Sequence, residues 1–418
     1  MDQTNIKHLL DSVGPGFCLA KWTQTTINLG LGETQSCHHN SFHVIPLAEI
    51  KRTSSALHNT EEKKNQRKLM LSGGRPKECG YCWKVEDNSD YDSDRVIMSN
   101  KFNALDYYED IKNSTGDEDF DPTQLEVSFS NVCNFACSYC GPSFSSKWVT
   151  DISRNGPYVN GYNSLNKKYI LDKEQNPYVD AFWDYLPKIY NTLHTLRITG
   201  GEPLMSRHTK KLLEYVRSNP NKDLTLIINT NLGVPDDLFY DFIKDVKSIQ
   251  PYVKEIEIAT SGESTGNRAE YIRDGLDYAS WYSRCKHILS ELDVKLNFMC
   301  SYNLLSITTF TDFLKDIKLL YTSYGKIGLS ISSVVQPKFL SISAAPIEWR
   351  PYLIESLEFL ESNAPGEIAN RFKHVIAHFD APRDEDLLET LSKFIIEYDN
   401  RRGKDFKSTF PEYSFIKS

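Results

Sequence analysis

The chain has 418 residues, 40% of them hydrophobic and 25% charged, with a formal net charge of −8. That is core enough for roughly two or three domains, and the acidic balance argues against a general nucleic-acid binder. No apolar run is long enough to span a bilayer. The opening "MDQTNIKHLLDSVG" also lacks the apolar stretch of a secretion signal, so the expected location is the cytoplasm, where thiols stay reduced.

Residues 1–105 read as loop-rich, with few long apolar stretches, and carry Cys18, Cys37, Cys79 and Cys82. The last two form a C-x-x-C pair in "RPKECGYCW". Between Cys37 and Cys79, "NTEEKKNQRKLMLSGG" has the pattern of a helix, with Asn59 as its cap, Glu62 at the reciprocal capping-box position and Gly73 as its stop. Across 51–77, Lys51, Arg52, Lys63, Lys64, Arg67, Lys68, Arg75 and Lys77 face only Glu61 and Glu62. Such a run is expected on a solvated surface. Residues 106–122, "DYYEDIKNSTGDEDFDP", read as an acidic linker.

From residue 123 to 345 short β-rich runs alternate with helical ones. Strands are expected at Leu125–Phe129, Leu196–Thr199, Leu224–Asn229, Glu255–Ala259, Val294–Met299 and Gly328–Ser332. Helices are expected at Phe182–Tyr190, Thr209–Ser218, Asp236–Lys247, Arg268–Leu292 and Thr309–Tyr321. Six β/α units in a row imply an α/β fold with a parallel sheet. Six is fewer than a closed eightfold barrel requires, so a partial (β/α)6 barrel is preferred over a doubly wound sheet. Residues 154–177 form an Asn- and Tyr-rich insertion. Residues 346–418 form a helical extension, with helices at Glu348–Leu360 and Glu385–Tyr398 and an aromatic tail expected to dock on the body.

Three cysteines, Cys133, Cys137 and Cys140, sit in "NVCNFACSYCGPS", directly after the first of these strands. A closed structural zinc site takes four ligands; three thiolates in one loop suggest a metal centre left incomplete. A [4Fe–4S] cube held by three sulfurs keeps one iron open, and an open iron can take the amino and carboxylate groups of a methionine derivative.

"CNFACSYC" is a CxxxCxxC pattern, and "LRITGGEPLM", sixty residues after Cys140, runs a strand into Gly200-Gly201-Glu202. Together they resemble the radical S-adenosylmethionine (radical SAM) enzymes over roughly residues 123–335. The resemblance implies a cluster on Cys133, Cys137 and Cys140, with Tyr139 packing on the adenine. Gly200, Gly201 and Glu202 would meet the ammonium of the cosubstrate. "ATSGESTGNRAEYIRDG" resembles the family's ribose and carboxylate region, so Ser261 and Glu263 would bind ribose hydroxyls and Arg273 the methionine carboxylate. Asn229, Thr230 and Asn231 end the third strand and would face the same rim. Cys285 and Cys300 read as packing residues.

The N-terminal set resembles the SPASM/twitch modules that hold auxiliary clusters in this family, although those modules usually follow the barrel and this one precedes it. Cys18, Cys37, Cys79 and Cys82 would complete a second [4Fe–4S] cluster or a tetrahedral zinc site. His38, His39 and His43 crowd Cys37 and read as surface residues. The implied activity is reductive cleavage of S-adenosylmethionine to a 5′-deoxyadenosyl radical that takes hydrogen from a substrate, with peptide or protein favoured. It implies an electron donor such as a flavodoxin or ferredoxin. Two other readings are a zinc-binding interaction protein and a methyl or methylthio transferase. No residue beyond the binding set is singled out as catalytic.

Overall fold

The computed structural model describes residues 3–38, 40–88, 92–165, 169–170, 174–380 and 386–416. Its strands are β1 Gln24–Asn28, β2 Glu33–Gln35, β3 His43–Val44, β4 Gln124–Ser128, β5 Thr195–Thr199, β6 Asn221–Thr230, β7 Val253–Ser261, β8 Lys295–Tyr302 and β9 Ile327–Ser333. β4 to β9 fall where the sequence pattern places six strands, and a helix or helix pair follows each. The reason is visible in β8, where Leu296, Phe298, Cys300 and Tyr302 are buried and the residues between them are not. Such alternation marks a strand with one face on a core. Helix Arg207–Ser218 buries Thr209, Leu212, Leu213 and Val216, the spacing of one helical stripe. The fold is α/β with parallel strand pairing, and its C-terminal region is helical. No described helix is long and apolar enough to cross a membrane.

The chain divides into two compact units. The first comprises Met1–Ser130, Lys168–Ile227 and Ile249–Glu255. Its strand order is β3-β2-β1-β4-β5-β6. β4 pairs parallel with β5, and β1 pairs parallel with β4 from Gln24↔Gln124 to Asn28↔Ser128. β2 and β3 follow antiparallel.

The N-terminal segment, expected to be loop-rich, therefore supplies three strands as well as helices Gln3–Asp11, Glu61–Leu71 and Gly80–Asn88. Its strands escape sequence patterning because they bury polar residues. Thr25, Thr34 and Gln35 are all buried, and the fully buried Lys63 Nζ donates to Thr25 Oγ1 (3.0 Å), Thr34 Oγ1 (2.8 Å) and the Gln35 carbonyl (3.2 Å). Burial, then Arg67 and Lys21, hold the Lys63 ammonium well below its ordinary pKa.

The basic run is not the solvated face expected. Lys63 and Arg67 point inward, while Lys64 and Lys68 pair with Asp119 and Asp117 of the acidic stretch at 2.6 Å each. The helix cap also differs. Thr60 accepts from Lys63 N, leaving Asn59 Oδ1 to accept from Arg67 Nη1 at 2.7 Å.

The second unit comprises Asn131–Lys167, Ile228–Ser248 and Ile256–Ser418. It contains the end of β6, most of β7, and β8 and β9, with β7–β8 and β8–β9 parallel. The single helix expected at Arg268–Leu292 is two, Gly266–Ile272 and Tyr278–Glu291. The break falls at Gly275, whose φ is +112° and whose Cβ, if present, would lie 2.7 Å from Phe135 Cδ1. The C-terminal helices are Arg350–Asn363, Gly366–Phe379 and Asp386–Arg402; the middle one is absent from the sequence reading.

Candidate functional site

The loop after β4 carries Cys133, Cys137 and Cys140 in the second unit, and three groups of contacts fix its backbone. Ala136 N donates to Asp274 O (2.8 Å) and Ser138 N to Ile272 O (2.7 Å), so the broken helix pair grips the loop from one side. Tyr162 Oη and Asn163 Nδ2 donate to the Cys140 carbonyl at 3.0 and 2.9 Å. Trp148 Nε1 donates to the Cys137 carbonyl at 3.0 Å, and Tyr398 Oη to the Ala136 carbonyl at 3.2 Å. Tyr162, Asn163 and Tyr398 come from the insertion and the C-terminal extension. Sequence reasoning assigned these residues no role, because a hydroxyl aimed at a backbone carbonyl leaves no spacing signal.

The sulfurs collect donors. Phe135 N lies 3.4 Å and Asn231 Nδ2 3.9 Å from Cys133 Sγ, and Arg273 Nη1 lies 3.9 Å from Cys137 Sγ. Burial, then repulsion from Cys137 and Cys133, pushes the Cys140 thiol up; burial does the same to Cys137, against the pull of Arg273. Three neighbouring sulfurs that repel one another as thiolates, Cys137 buried and Cys133 and Cys140 half-buried, with N–H groups aimed at two of them, suit a cationic iron centre. Hydrogen bonds to sulfur tune such clusters, and loading the site displaces the thiol protons.

Beside the loop, Arg273 Nε and Nη2 donate to Glu263 Oε2 at 3.2 and 2.5 Å, and Tyr139 Oη donates to the same carboxylate at 3.3–3.4 Å. Arg273 lies over the Tyr139 ring, 5.5 Å from its centroid. Burial opposes the Arg273 charge, but Glu263, Tyr139 and Cys137 outweigh it and keep the guanidinium protonated. Ser261 ends β7 two residues before Glu263. Asn231 Nδ2 also bonds Asn134 Oδ1 (2.9 Å), while Asn229 Nδ2 turns to Met299 Sδ (3.6 Å). The second unit thus brings Tyr139, Glu263, Arg273 and Asn231 together with the three cysteines. Cys285 and Cys300 are buried in its core.

Gly200, Gly201 and Glu202 follow β5 in the first unit. Gly200 has φ +125°, and a Cβ there would lie 2.6 Å from Ser128 Oγ and 2.7 Å from the Ser130 carbonyl, so only glycine fits. Gly201 N donates to Ser130 O (3.1 Å). Glu202 is buried, and its Oε1 accepts from Leu204 N at 3.0 Å.

Also in the first unit, Cys18, Cys37, Cys79 and Cys82 line one small cavity, with Lys21, Met70, Trp83 and Arg95 among its other walls. Burial first, then nearby charges, pushes Cys79 and Cys82 up to about 12 and raises Cys18. Among the described residues, only His43, Glu62 and Glu78 form a group of three or more potential ligands with all ligand atoms within 4.8 Å of one another. Four sulfurs bound to one zinc at about 2.3 Å would stand roughly 3.8 Å apart. No three of these four sulfurs lie all within 4.8 Å of one another. His38 Nε2 lies 3.6 Å from Asp94 Oδ2, His43 Nε2 meets Thr60 Oγ1 at 3.0 Å, and His39 lies outside the described residues.

A family model of the radical SAM superfamily matches residues 127–279. The matched stretch holds the three-cysteine loop, and the similarity implies a [4Fe–4S] cluster with S-adenosylmethionine there. Among individual proteins, the chain is similar to a GTP 3′,8-cyclase of Psychromonas ingrahamii, 25% identical over 196 residues. That alignment spans 46% of this chain and 49% of the relative, about half the length of each. Two crystal structures of Streptococcus suis SuiB, one bound to S-adenosylmethionine, align at a TM-score of 0.40 with 13% and 12% identity, over 82% of this chain and 68% of theirs. At that distance they carry no argument.

Proposed function

We propose that the protein is a radical SAM enzyme that reductively cleaves S-adenosylmethionine and uses the product radical on a peptide or protein substrate. The observation that carries this reading is the loop of Cys133, Cys137 and Cys140, braced by three neighbouring segments and supplied with donors at two sulfurs. Held by those three thiolates, a [4Fe–4S] cluster would supply the electron for reductive cleavage of S-adenosylmethionine to methionine and a 5′-deoxyadenosyl radical.

The remaining work belongs to the chain. Arg273 and Asn231 steady the sulfurs. Tyr139, Ser261, Glu263 and Arg273 are assigned to the cosubstrate's adenine, ribose and carboxylate, and Gly200, Gly201 and Glu202 to its ammonium. Cys18, Cys37, Cys79 and Cys82 are assigned to a second [4Fe–4S] cluster; they line one cavity, and four thiolates match the four irons of a cube. We assign this set to a module of residues 1–105, joined by a linker at 106–122 to a core at 123–345 and an extension at 346–418. A flavodoxin or ferredoxin would deliver electrons in the cytoplasm, where the seven thiols stay reduced until loaded.

The test is anaerobic. The reconstituted protein is expected to hold about eight irons, the sum for two cubes, and to form 5′-deoxyadenosine with dithionite and S-adenosylmethionine. Replacing Cys133, Cys137 and Cys140 by Ala should remove about four irons and all product. Product formation by that variant would defeat the proposal, and a colourless zinc protein would defeat the second cluster.

A further inference from the structure

β9 ends the strand order of the second unit: β8 lies on one side, and among the described residues no strand lies on the other. In a parallel pair, every second residue turns its N–H and C=O away from the neighbouring strand. The bonds Leu296 N to Lys326 O (2.9 Å) and Val334 N to Tyr302 O (2.8 Å) bracket the register. Ile327, Leu329 and Ile331 therefore face their backbone groups outward, where no hydrogen-bond partner is found among the described residues. Exposed strand edges usually carry a charge or a proline as protection against pairing. "IGLSISS" carries neither.

This edge borders a groove rather than a flat surface. Ile327 to Ile331 form one wall of a cavity of about 870 Å³, and helix Phe310–Tyr324 and the turn between helices Arg350–Asn363 and Gly366–Phe379 form the others. The charged side chains on its lining are Lys295, Lys318 and Arg371 against a single carboxylate, Glu367. Arg371 is engaged with Glu367 at 2.7 Å and Lys295 with Glu257 at 3.1 Å, but Lys318 meets only the neutral amide oxygen of Asn363 and the ring of Phe359. The wall of five residues extends roughly 13 Å at strand rise. It also has a direction. Ser330, within that wall, is the register partner of Met299, whose carbonyl accepts from Gly262 N at 3.3 Å, one residue before Glu263. The groove therefore leads along β9 toward the side chains beside the three-cysteine loop.

We infer that β9 takes up an extended acidic segment of the substrate peptide as an additional strand. The outward N–H and C=O groups of Leu329 and Ile331 supply the pairing, and Lys318, which faces only neutral partners, selects the charge. Main-chain pairing with side-chain pockets at alternate positions is how strand-addition sites combine affinity with selectivity. The inference rests on the proposed reading for its choice of a peptide substrate, but its test needs no turnover.

The probe is fluorescein-labelled (Glu-Val)4, with (Lys-Val)4 as counterpart, titrated by fluorescence anisotropy against the intact chain under anaerobic conditions. The acidic peptide should bind saturably and at least tenfold more tightly than the basic one. Leu329→Pro removes one outward N–H without touching the ladder to β8, and should weaken binding at least tenfold. In the unaltered protein, the Leu329 and Ile331 amides should exchange with deuterium at least tenfold more slowly when the acidic peptide is saturating. That measurement decides the matter even if the proline variant does not fold. Absence of saturable binding, equal affinity for both peptides, or unchanged exchange at those two amides overturns the inference. Cleavage of S-adenosylmethionine would persist in each of those cases, so this failure and failure of the radical chemistry are told apart.

Discussion

Replacing Arg273 by Met strips Glu263 of its charged partner inside the second unit. The two side chains are 6% and 1% exposed, so water cannot stand in for the guanidinium. Removing one partner of a buried pair costs about 3–5 kcal/mol, because the other charge is left uncompensated. The Tyr139 hydroxyl, at 3.3–3.4 Å, is too long a contact to replace it. With a urea m-value near about 3 kcal/mol/M, the midpoint should fall by roughly 1–2 M. Unfolding can be followed through the buried Trp148 and Trp281.

Glu263→Gln combined with Arg273→Met removes both charges and should recover most of the loss, with a coupling of about 2–3 kcal/mol in the double-mutant cycle. The penalty also depends on pH. Burial already pushes the Glu263 carboxyl up against the pull of Arg273, and without Arg273 it rises further. A carboxyl with a raised folded-state pKa favours the fold most below its unfolded value and loses that contribution as pH climbs through the folded value. The gap between variant and parent should therefore widen from about pH 4.5 upward. A loss below about 1 kcal/mol at pH 7, or a double variant that loses the sum of the two singles, would refute this account of the pair.

Gly275→Ala meets both a left-handed φ of +112° and a Cβ position 3.0 Å from the Asn134 carbonyl. It should cost at least about 1–3 kcal/mol in the same urea assay; an unchanged midpoint would show that the loop yields. Burial, then Lys63, holds His43 down to about 4, so the fold binds fewer protons there than the unfolded chain between about pH 6.5 and 4. Stability should fall as pH drops across that window, and His43→Gln should flatten that part of a thermal-melt pH series. Tyr398→Phe loses bonds to the Ala136 and Tyr271 carbonyls at 3.2 and 3.3 Å. It should cost about 1 kcal/mol and speed amide exchange in the three-cysteine loop relative to the rest of the chain.

What the sequence made legible follows from where hydrophobic periodicity survives. β4 to β9 alternate apolar and polar residues, and the expected places of these strands and of most of the helices between them hold within a few residues. β1 and β2 do not alternate: "QTTIN" and "ETQ" bury threonines and a glutamine whose hydrogen bonds are made by Lys63 from a helix about thirty to forty positions away. No window of sequence contains that compensation. The break at Gly275 was hidden for a similar reason, since it answers to Phe135, a residue 140 positions earlier. The cysteine spacing marked out the loop, and Glu263 and Arg273, singled out through the family pattern, lie together beside it. The contacts that brace the loop, from Tyr162, Asn163 and Tyr398, came into view only with the fold.

The parallel pairing of β1 with β4 ties the first hundred residues to the strand that leads into the cysteine loop. A chain cut just before Gln124 would not shed a detachable accessory. It would leave one whole flank of that strand raw, with backbone groups bare and ready to recruit any passing chain. Trimming toward a minimal catalytic fragment from this end should yield precipitate before it yields a smaller enzyme.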